Sequence, residues 1–277
     1  MTGAAGMLGR RVVKDAQARG WDVIAADRAK ADLIDPDQVA DAVAGAAPAA
    51  IVHCAAWTDV DGAEANEDEA LKANALACRN VGAAARVAGA RVVAVSTDYV
   101  FDGTLTGRPY RESDPVSPIG AYGRTKLAGE RELAGQLDDH VIARTAWVFG
   151  WPGKCFPDTM LRLGGERDEV GVVTDQIGSP TWTGHLSPAL LDLAAGEMTG
   201  IVHIAGTGQC SWNELTQELF RQAGVSCRVT ATTAAEFGRA APRPAWSVLA
   251  SERDDAPRLP DWTEGISGYL KERELQA

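Results

Sequence analysis

The stretch "AYGRTKLAGE" sets a phenol, Tyr122, and an amine, Lys126, at i and i+4, so that on a helix both project from one face. An ammonium beside a phenol stabilises the phenolate and lowers its pKa, which makes the tyrosine a usable proton donor or acceptor near neutral pH. Reversible reduction of a ketone needs such a group. With four tyrosines and six lysines in 277 residues, this spacing rarely arises by chance; the competing reading is a solvated helix with a surface lysine. Upstream, "VVAVSTDYVFDG" ends an apolar run in Ser96, Thr97, Asp98 and Tyr99. That is the edge at which open α/β sheets bind ligands, and a hydroxyl there can hold a substrate oxygen. Ser96 reads equally as a turn residue.

A hydride donor is implied by the opening residues. Gly3, Gly6 and Gly9 in "MTGAAGMLGRR" form a T-G-x-x-G-x-x-G variant of the dinucleotide fingerprint, followed by a helix expected from Met7 to about Arg19. Such glycines let backbone approach a pyrophosphate at a helix N-terminus, here at Met7 and Leu8. Asp27, at the end of "DVIAAD", can accept from the adenosine ribose hydroxyls and favours NAD, whereas Arg28 beside it can meet a 2′-phosphate. The expected cofactor is therefore NADPH or NADH. A tight turn in an alanine-rich chain and an ordinary strand end are the alternatives.

These residues need a scaffold, and the periodicity supplies one. Short apolar runs at 22–27, 49–57, 90–98 and 140–150 read as buried strands, and "DPDQVADAVAGA" and "NEDEALKANALACRNVGAAARVAG" between them read as helices, the second capped by Gly89. Alternation of this kind predicts an α/β fold with a doubly wound, Rossmann-like parallel sheet. Beyond about residue 150 the rhythm loosens, with strand character at "GIVHIAG" and a helix at "SWNELTQELFRQAG". The expected division is a dinucleotide-binding domain over 1–150 and a smaller substrate-binding region over 151–277, with about 184–206 returning to the first.

The net charge of −11 excludes a broad nucleic-acid-binding face. Lacking a long apolar run or a leader, the chain is expected in the cytoplasm with no membrane partner. Five scattered cysteines without a Cys-x-x-Cys pair and four histidines without ligand spacing predict neither disulfide framework nor metal.

Taken in order, "TGAAGMLG", "AAWTDVDGAE", "STDYVFDG", "YGRTKLAGE", "RTAWVFG", "DQIGSPT", "GIVHIAG" and "RPAWSVL" give the chain an almost end-to-end resemblance to the dTDP-4-dehydrorhamnose reductase family of extended short-chain dehydrogenases/reductases. The resemblance implies hydride transfer from a reduced nicotinamide to the 4-keto carbon of dTDP-6-deoxy-L-lyxo-4-hexulose, giving dTDP-L-rhamnose. It implies that Tyr122 protonates the forming alkoxide, that Lys126 lowers the Tyr122 pKa and binds the nicotinamide ribose, and that Thr97 hydrogen-bonds the reacting oxygen. It further implies that Ala55, Ala56 and Thr58 skirt the cofactor, and that Asp98, Tyr99, Trp147 and Arg243 serve a dTDP-sugar substrate, with Arg243 at the nucleotide phosphates. A homodimer is compatible with it.

The chain departs from the family's pattern at Cys155, where Asn is common before Phe156, at Trp246, where Asn is usual, and at Pro242, often Arg. At Arg11 the glutamate tied to magnesium dependence in some members is replaced. A reductase of another nucleotide-linked 4-keto-deoxysugar is therefore the second reading, and a silent NADP-binding regulatory protein, like the regulatory subunit of methionine adenosyltransferase, the third. The family also has an apolar strand before the first Thr-Gly. Arginine outnumbers lysine 21 to 6, as in GC-rich genomes, and the expectation is that Met1 is a valine codon inside that strand read as a start. Upstream DNA without in-frame apolar codons would overturn it.

Overall fold

Four parallel strands, β1 (Ala50–His53), β2 (Arg91–Thr97), β3 (His140–Thr145) and β4 (Gly200–His203), form the main sheet in the order β1-β2-β3-β4. The computed structural model describes residues 1–275. β-Branched residues suit a sheet covered on both faces, and the register stacks Val52 on Val93 and Val93 on Val141. On one face α1 (Met7–Ala18) and a later helix, residues 183–195, bury Val12, Leu186 and Leu190 against Val52, Val93 and Val141. On the other, α2 (Pro36–Ala46) and the helices that follow bury Val39, Val81 and Leu133 against Ile51, Val92 and Ile142. Among the described residues no helix is long and apolar enough to cross a membrane.

Met1 and Thr2 lie alongside β1. Thr2 N donates to Val52 O at 3.1 Å, Cys54 N to Thr2 O at 3.2 Å, and Ala26 N to Met1 O at 2.8 Å. The strand expected over 22–27 is not formed: its pairing is a single bridge between Ala26 and Thr2, and Ile24 is 45% exposed. Among the described residues it is met by Met1, Thr2 and, through Ala4 N to Ala26 O at 3.2 Å, the start of the glycine loop, which form no ladder with it.

After β1 the chain makes α3 (Val60–Ala65) and α4 (Glu67–Leu71), passes through a π turn at Lys72–Leu76, and continues as α5 (Ala77–Ala88) to Gly89, whose φ of 68° ends the helix. The π turn carries Asn74, which is buried. Its Oδ1 accepts from Trp57 N at 2.8 Å and its Nδ2 donates to Thr125 Oγ1 at 2.9 Å, joining the loop after β1 to α6 (Ala121–Gln136). Helix α6 lies unusually close to its neighbours. A Cβ on Gly123 would stand 2.1 Å from Tyr99 O, and one on Gly129 2.2 Å from Asn74 O. Beneath it a buried cluster joins three elements: Arg144 of β3 makes two hydrogen bonds to the Glu130 carboxylate, and Ser96 of β2 donates to the same group.

The run 140–150, expected as one strand, breaks at Trp147. Its φ is 47°, a left-handed conformation that turns the chain so that Val148–Phe149 leave the main sheet and pair with Thr181–Trp182. Gly178 packs against the Trp147 ring, leaving no room for a Cβ. Beyond lies a second core, in which α7 (Phe156–Glu166), the ladder of Glu169–Val173 with Arg228–Thr232, α9 (Trp212–Ala223) and α10 (Trp262–Glu274) enclose Phe149, Leu219 and Tyr269. Between α7 and α9, α8 (Thr183–Ala195) and β4 return to the main sheet.

Two glycines of α6 should respond oppositely to the same change. Gly129→Ala drives a Cβ into Asn74 O and should cost about 1–3 kcal/mol. Gly135→Ala meets nothing within 4 Å and should stabilise by up to about 1 kcal/mol through helix propensity. Denaturant midpoints at constant m-value measure both.

Candidate active site

The loop from Gly3 to Gly9 and the chain after β1 meet at the C-terminal edge of the sheet. Gly3 has a φ of 68°, and a Cβ there would stand 2.6 Å from Ala55 N, while one on Gly9 would stand 2.1 Å from Gly3 O. Only glycine allows this approach. Gly6 is the N-cap of α1 and supplies no side-chain acceptor, so the first amides of the helix, including those of Met7 and Leu8, keep donors for an anion. Ala55 and Ala56 are half-buried and Thr58 is exposed along the facing wall. This donor set fits the pyrophosphate of a dinucleotide. Asp27 and Arg28 are exposed at the outer end, and Asp27 Oδ1 accepts from Ala29 N at 3.0 Å within its own turn.

Helix α6 begins at Gly120, and its first amide, Ala121 N, is held by Glu64 Oε1 at 2.7 Å. One turn in, the half-buried Tyr122 faces Thr97 at the end of β2. Lys126 turns the other way. Its Nζ donates to Val95 O at 2.8 Å, and its charge acts on His53 and Cys54 at the end of β1. The expected lowering of the Tyr122 pKa by Lys126 is therefore absent from this structure: burial raises the phenol to about 12, with the Thr97 hydroxyl pulling down and Asp98 pushing up. Lys126 instead stands over the gap between β1 and β2, beside the glycine cradle. Burial, aided by Lys126, brings His53 down to about 3, so this imidazole is neutral. Its Nδ1 lies 2.7 Å from Thr2 Oγ1, and its Nε2 has no partner.

Thr97 Oγ1 accepts from Tyr99 N at 3.2 Å and lies 3.0 Å from Asp98 Oδ1. Asp98 is 2% exposed, and burial raises its acid to about 6, opposed by Ser247 and Thr97. The Tyr99 ring stands edge-on to Tyr122 at 5.6 Å between centroids, its phenol raised by burial. Above them the segment 239–247 crosses from the C-terminal core. Arg243 is held by Asp61 of α3 through two bonds of 3.1 and 2.9 Å, and its guanidinium also reaches Tyr99. Hydrogen bonding from Arg243 lowers Asp61 to about 2.

Thr97, Asp98, Tyr99, Tyr122 and Arg243 thus converge on one cleft, and Lys126 with the Gly3–Ala55 contact lies alongside it. Trp147 is half-buried: it stacks on Trp212 at 3.5 Å and 2° and packs both on the second core and on the cluster of Phe101, Tyr110 and Leu249. Asn74, Asp61 and Ser247 did not emerge from the sequence. Asn74 sits on a π turn inside a helical pattern, and the other two gain their places only through contacts across about 150 to 180 positions.

The family model described as RmlD substrate binding domain matches residues 1–275. A dTDP-4-dehydrorhamnose reductase of Streptomyces griseus is 44% identical, the alignment covering 94% of this chain and 87% of that protein. A probable dTDP-4,6-dihydroxy-2-methyloxan-3-one 4-ketoreductase of Streptomyces antibioticus is 40% identical over 96% of this chain and 92% of its own. Among solved structures, the dTDP-4-dehydrorhamnose reductase of Bacillus anthracis in complex with NADP superposes with a TM-score of 0.95 at 37% identity, covering 98% of this chain and 97% of that one. With the cradle, the Thr97–Tyr122 pair and Lys126 in their places, this chain belongs to the RmlD family of dTDP-4-dehydrorhamnose reductases and related ketoreductases.

Proposed function

We propose that the protein is an NAD(P)H-dependent oxidoreductase that reduces the 4-keto group of dTDP-6-deoxy-L-lyxo-4-hexulose to give dTDP-L-rhamnose. The observation that carries this reading is the meeting of Thr97 and Tyr122 beside a glycine cradle shaped for a dinucleotide. Residues 1–150 hold the cofactor: the amides of Met7 and Leu8 bind its pyrophosphate, Gly3, Gly6, Ala55, Ala56 and Thr58 line its path, and Asp27 or Arg28 meets the adenosine ribose. When bound, the reduced nicotinamide supplies a hydride to the sugar C4. Tyr122, whose phenol stays protonated across the physiological range, gives its proton to the carbonyl oxygen as charge develops there. Thr97 orients that oxygen, and Lys126 holds the nicotinamide ribose from the β1–β2 side. Tyr99 and Arg243 face the sugar nucleotide, with Asp98 buried behind Thr97, and residues 151–277, through the segment 239–247, close over it.

A second reading is favoured by one observation. Trp246 stands where the family usually has Asn, three residues from Arg243, and its Nε1 donates to Arg108 O at 3.0 Å. A related 4-keto-deoxysugar nucleotide is then the substrate, with the same chemistry.

Tyr122→Phe should lower kcat at least about 100-fold, the size of a lost general acid, while the Kd for NADPH changes less than about two-fold. Nicotinamide absorbance with an enzymatically generated 4-keto sugar nucleotide reads the first, and fluorescence titration the second. Full turnover by this variant would refute the assignment. Gly3→Val should behave inversely: the added side chain meets the Ala55 backbone, so cofactor affinity should fall at least about ten-fold, equivalent to about 1.4 kcal/mol.

A further inference from the structure

A hydroxyl has one proton and two lone pairs, and at Thr97 all three are contested. The Tyr99 amide takes one lone pair at 3.2 Å, Asp98 Oδ1 stands at 3.0 Å, and the Tyr122 hydroxyl faces the remaining side. An ionised carboxylate only accepts. Beside one, the Thr97 proton is committed to Asp98, and Thr97 offers the Tyr122 side a lone pair. The Tyr122 proton is then drawn back toward Thr97, and Thr97 has no donor for an oxygen in the cleft. Beside a neutral Asp98 carrying its proton on Oδ1, the bond reverses: Asp98 donates, and the Thr97 proton swings toward Tyr122 and the reacting oxygen.

We propose that Asp98 works as the neutral acid and that its proton turns the Thr97 hydroxyl into the catalytic cleft, making Asp98 a positioning residue whose ionisation switches the site off. The proposal rests on the reductase reading above. Its surroundings favour the neutral form. Asp98 is 2% exposed and its Oδ2 has no hydrogen-bond partner. The groups facing it are uncharged: Tyr99 from its own segment, Tyr122 from α6, and from the segment 239–247 Ser247, whose Oγ is also buried without a partner. Arg243 reaches Tyr99 but is committed to Asp61. A protonated carboxyl donates from Oδ1 to Thr97 and leaves no uncompensated charge in this buried cluster, whichever way the Ser247 hydroxyl turns. The upward shift of this acid to about 6 has the same cause, and a bound anionic dinucleotide and sugar nucleotide push it further up.

The test is the pH dependence of kcat between pH 5.5 and 8.5 for the wild type, Asp98→Asn and Asp98→Ala, with both substrates saturating. Wild-type kcat should fall as pH rises, approaching about ten-fold per unit past a single ionisation, and the limb in kcat should lie at higher pH than that in kcat/KM. Tyr122, near 12, does not titrate in this range. The Asn variant, whose amide donates to Thr97 at every pH, should lose the limb, its kcat changing less than about two-fold over the range. The Ala variant should also be flat, but at least about ten-fold slower than the Asn variant. Infrared difference spectra of wild type minus Asn variant, each with NADP⁺ bound, should show a protonated-carboxyl band that disappears over the same pH interval. A flat wild-type profile, an Asn variant with the wild-type limb, or the lack of that band at pH 5.5 would overturn the proposal. If the wild type turns over no 4-keto sugar nucleotide, the reductase reading fails, and the band alone still decides whether Asp98 is neutral.

Discussion

The approach of helix α6 to the ends of β2 and β3 is the constraint from which the site follows. Gly123 and Gly129 remove the side chains that would hold the helix away, and Glu130 then reaches Arg144 and Ser96 in a cluster almost without water. The pair is 2% and 5% exposed, so neither charge has solvent to fall back on. Breaking such a pair by removing one partner costs about 3–5 kcal/mol, because the other is left buried and uncompensated. Its role here is geometric. Ser96 precedes Thr97, and Glu130 stands one helical turn beyond Lys126, so one carboxylate fixes the strand end and the helix face that carry the chemistry. The Phe101 ring covers the remaining side of the guanidinium, where Nη1 finds no hydrogen-bond partner.

The two reactive side chains of α6 are separated by this arrangement rather than paired. Tyr122 looks toward Thr97 and the sugar cleft, Lys126 toward the β1–β2 gap and the glycine cradle. A phenol raised by burial and an ammonium bonded to a carbonyl form a site at rest, with the donor proton in place. On the Tyr122 side, Thr97 is a hydroxyl that meets Asp98, Tyr99 and Tyr122 together.

Much of this was legible in the residues. The alternation of apolar runs and amphipathic stretches yields the parallel sheet; Gly3, Gly6, Tyr122 and Lys126 stand out by spacing and Thr97 by its place at a strand end, because each of these motifs is local. What depends on contact between distant segments was not legible. Trp147 reads as a site residue from its motif, but its left-handed φ and its stack on Trp212, which tie the two cores together, are not visible in it. Arg243 reads as a free guanidinium until Asp61 is seen to hold it. The run 22–27 has strand composition, yet a strand is a property of a pair, and among the described residues its pairing is a single bridge to Thr2. The effect of Lys126 on Tyr122 fails for the same reason: sharing a helical face sets where two side chains start, not where they end.

The π turn at Lys72–Leu76 carries one more consequence. Each residue advances a helix by about 100°, so one surplus residue rotates everything after it relative to everything before. Shortening this turn by one position would leave both flanking helices intact in composition, yet swing Asn74 off the line joining the loop after β1 to α6. The wall facing the glycines would lose its tether without a single polar group being mutated.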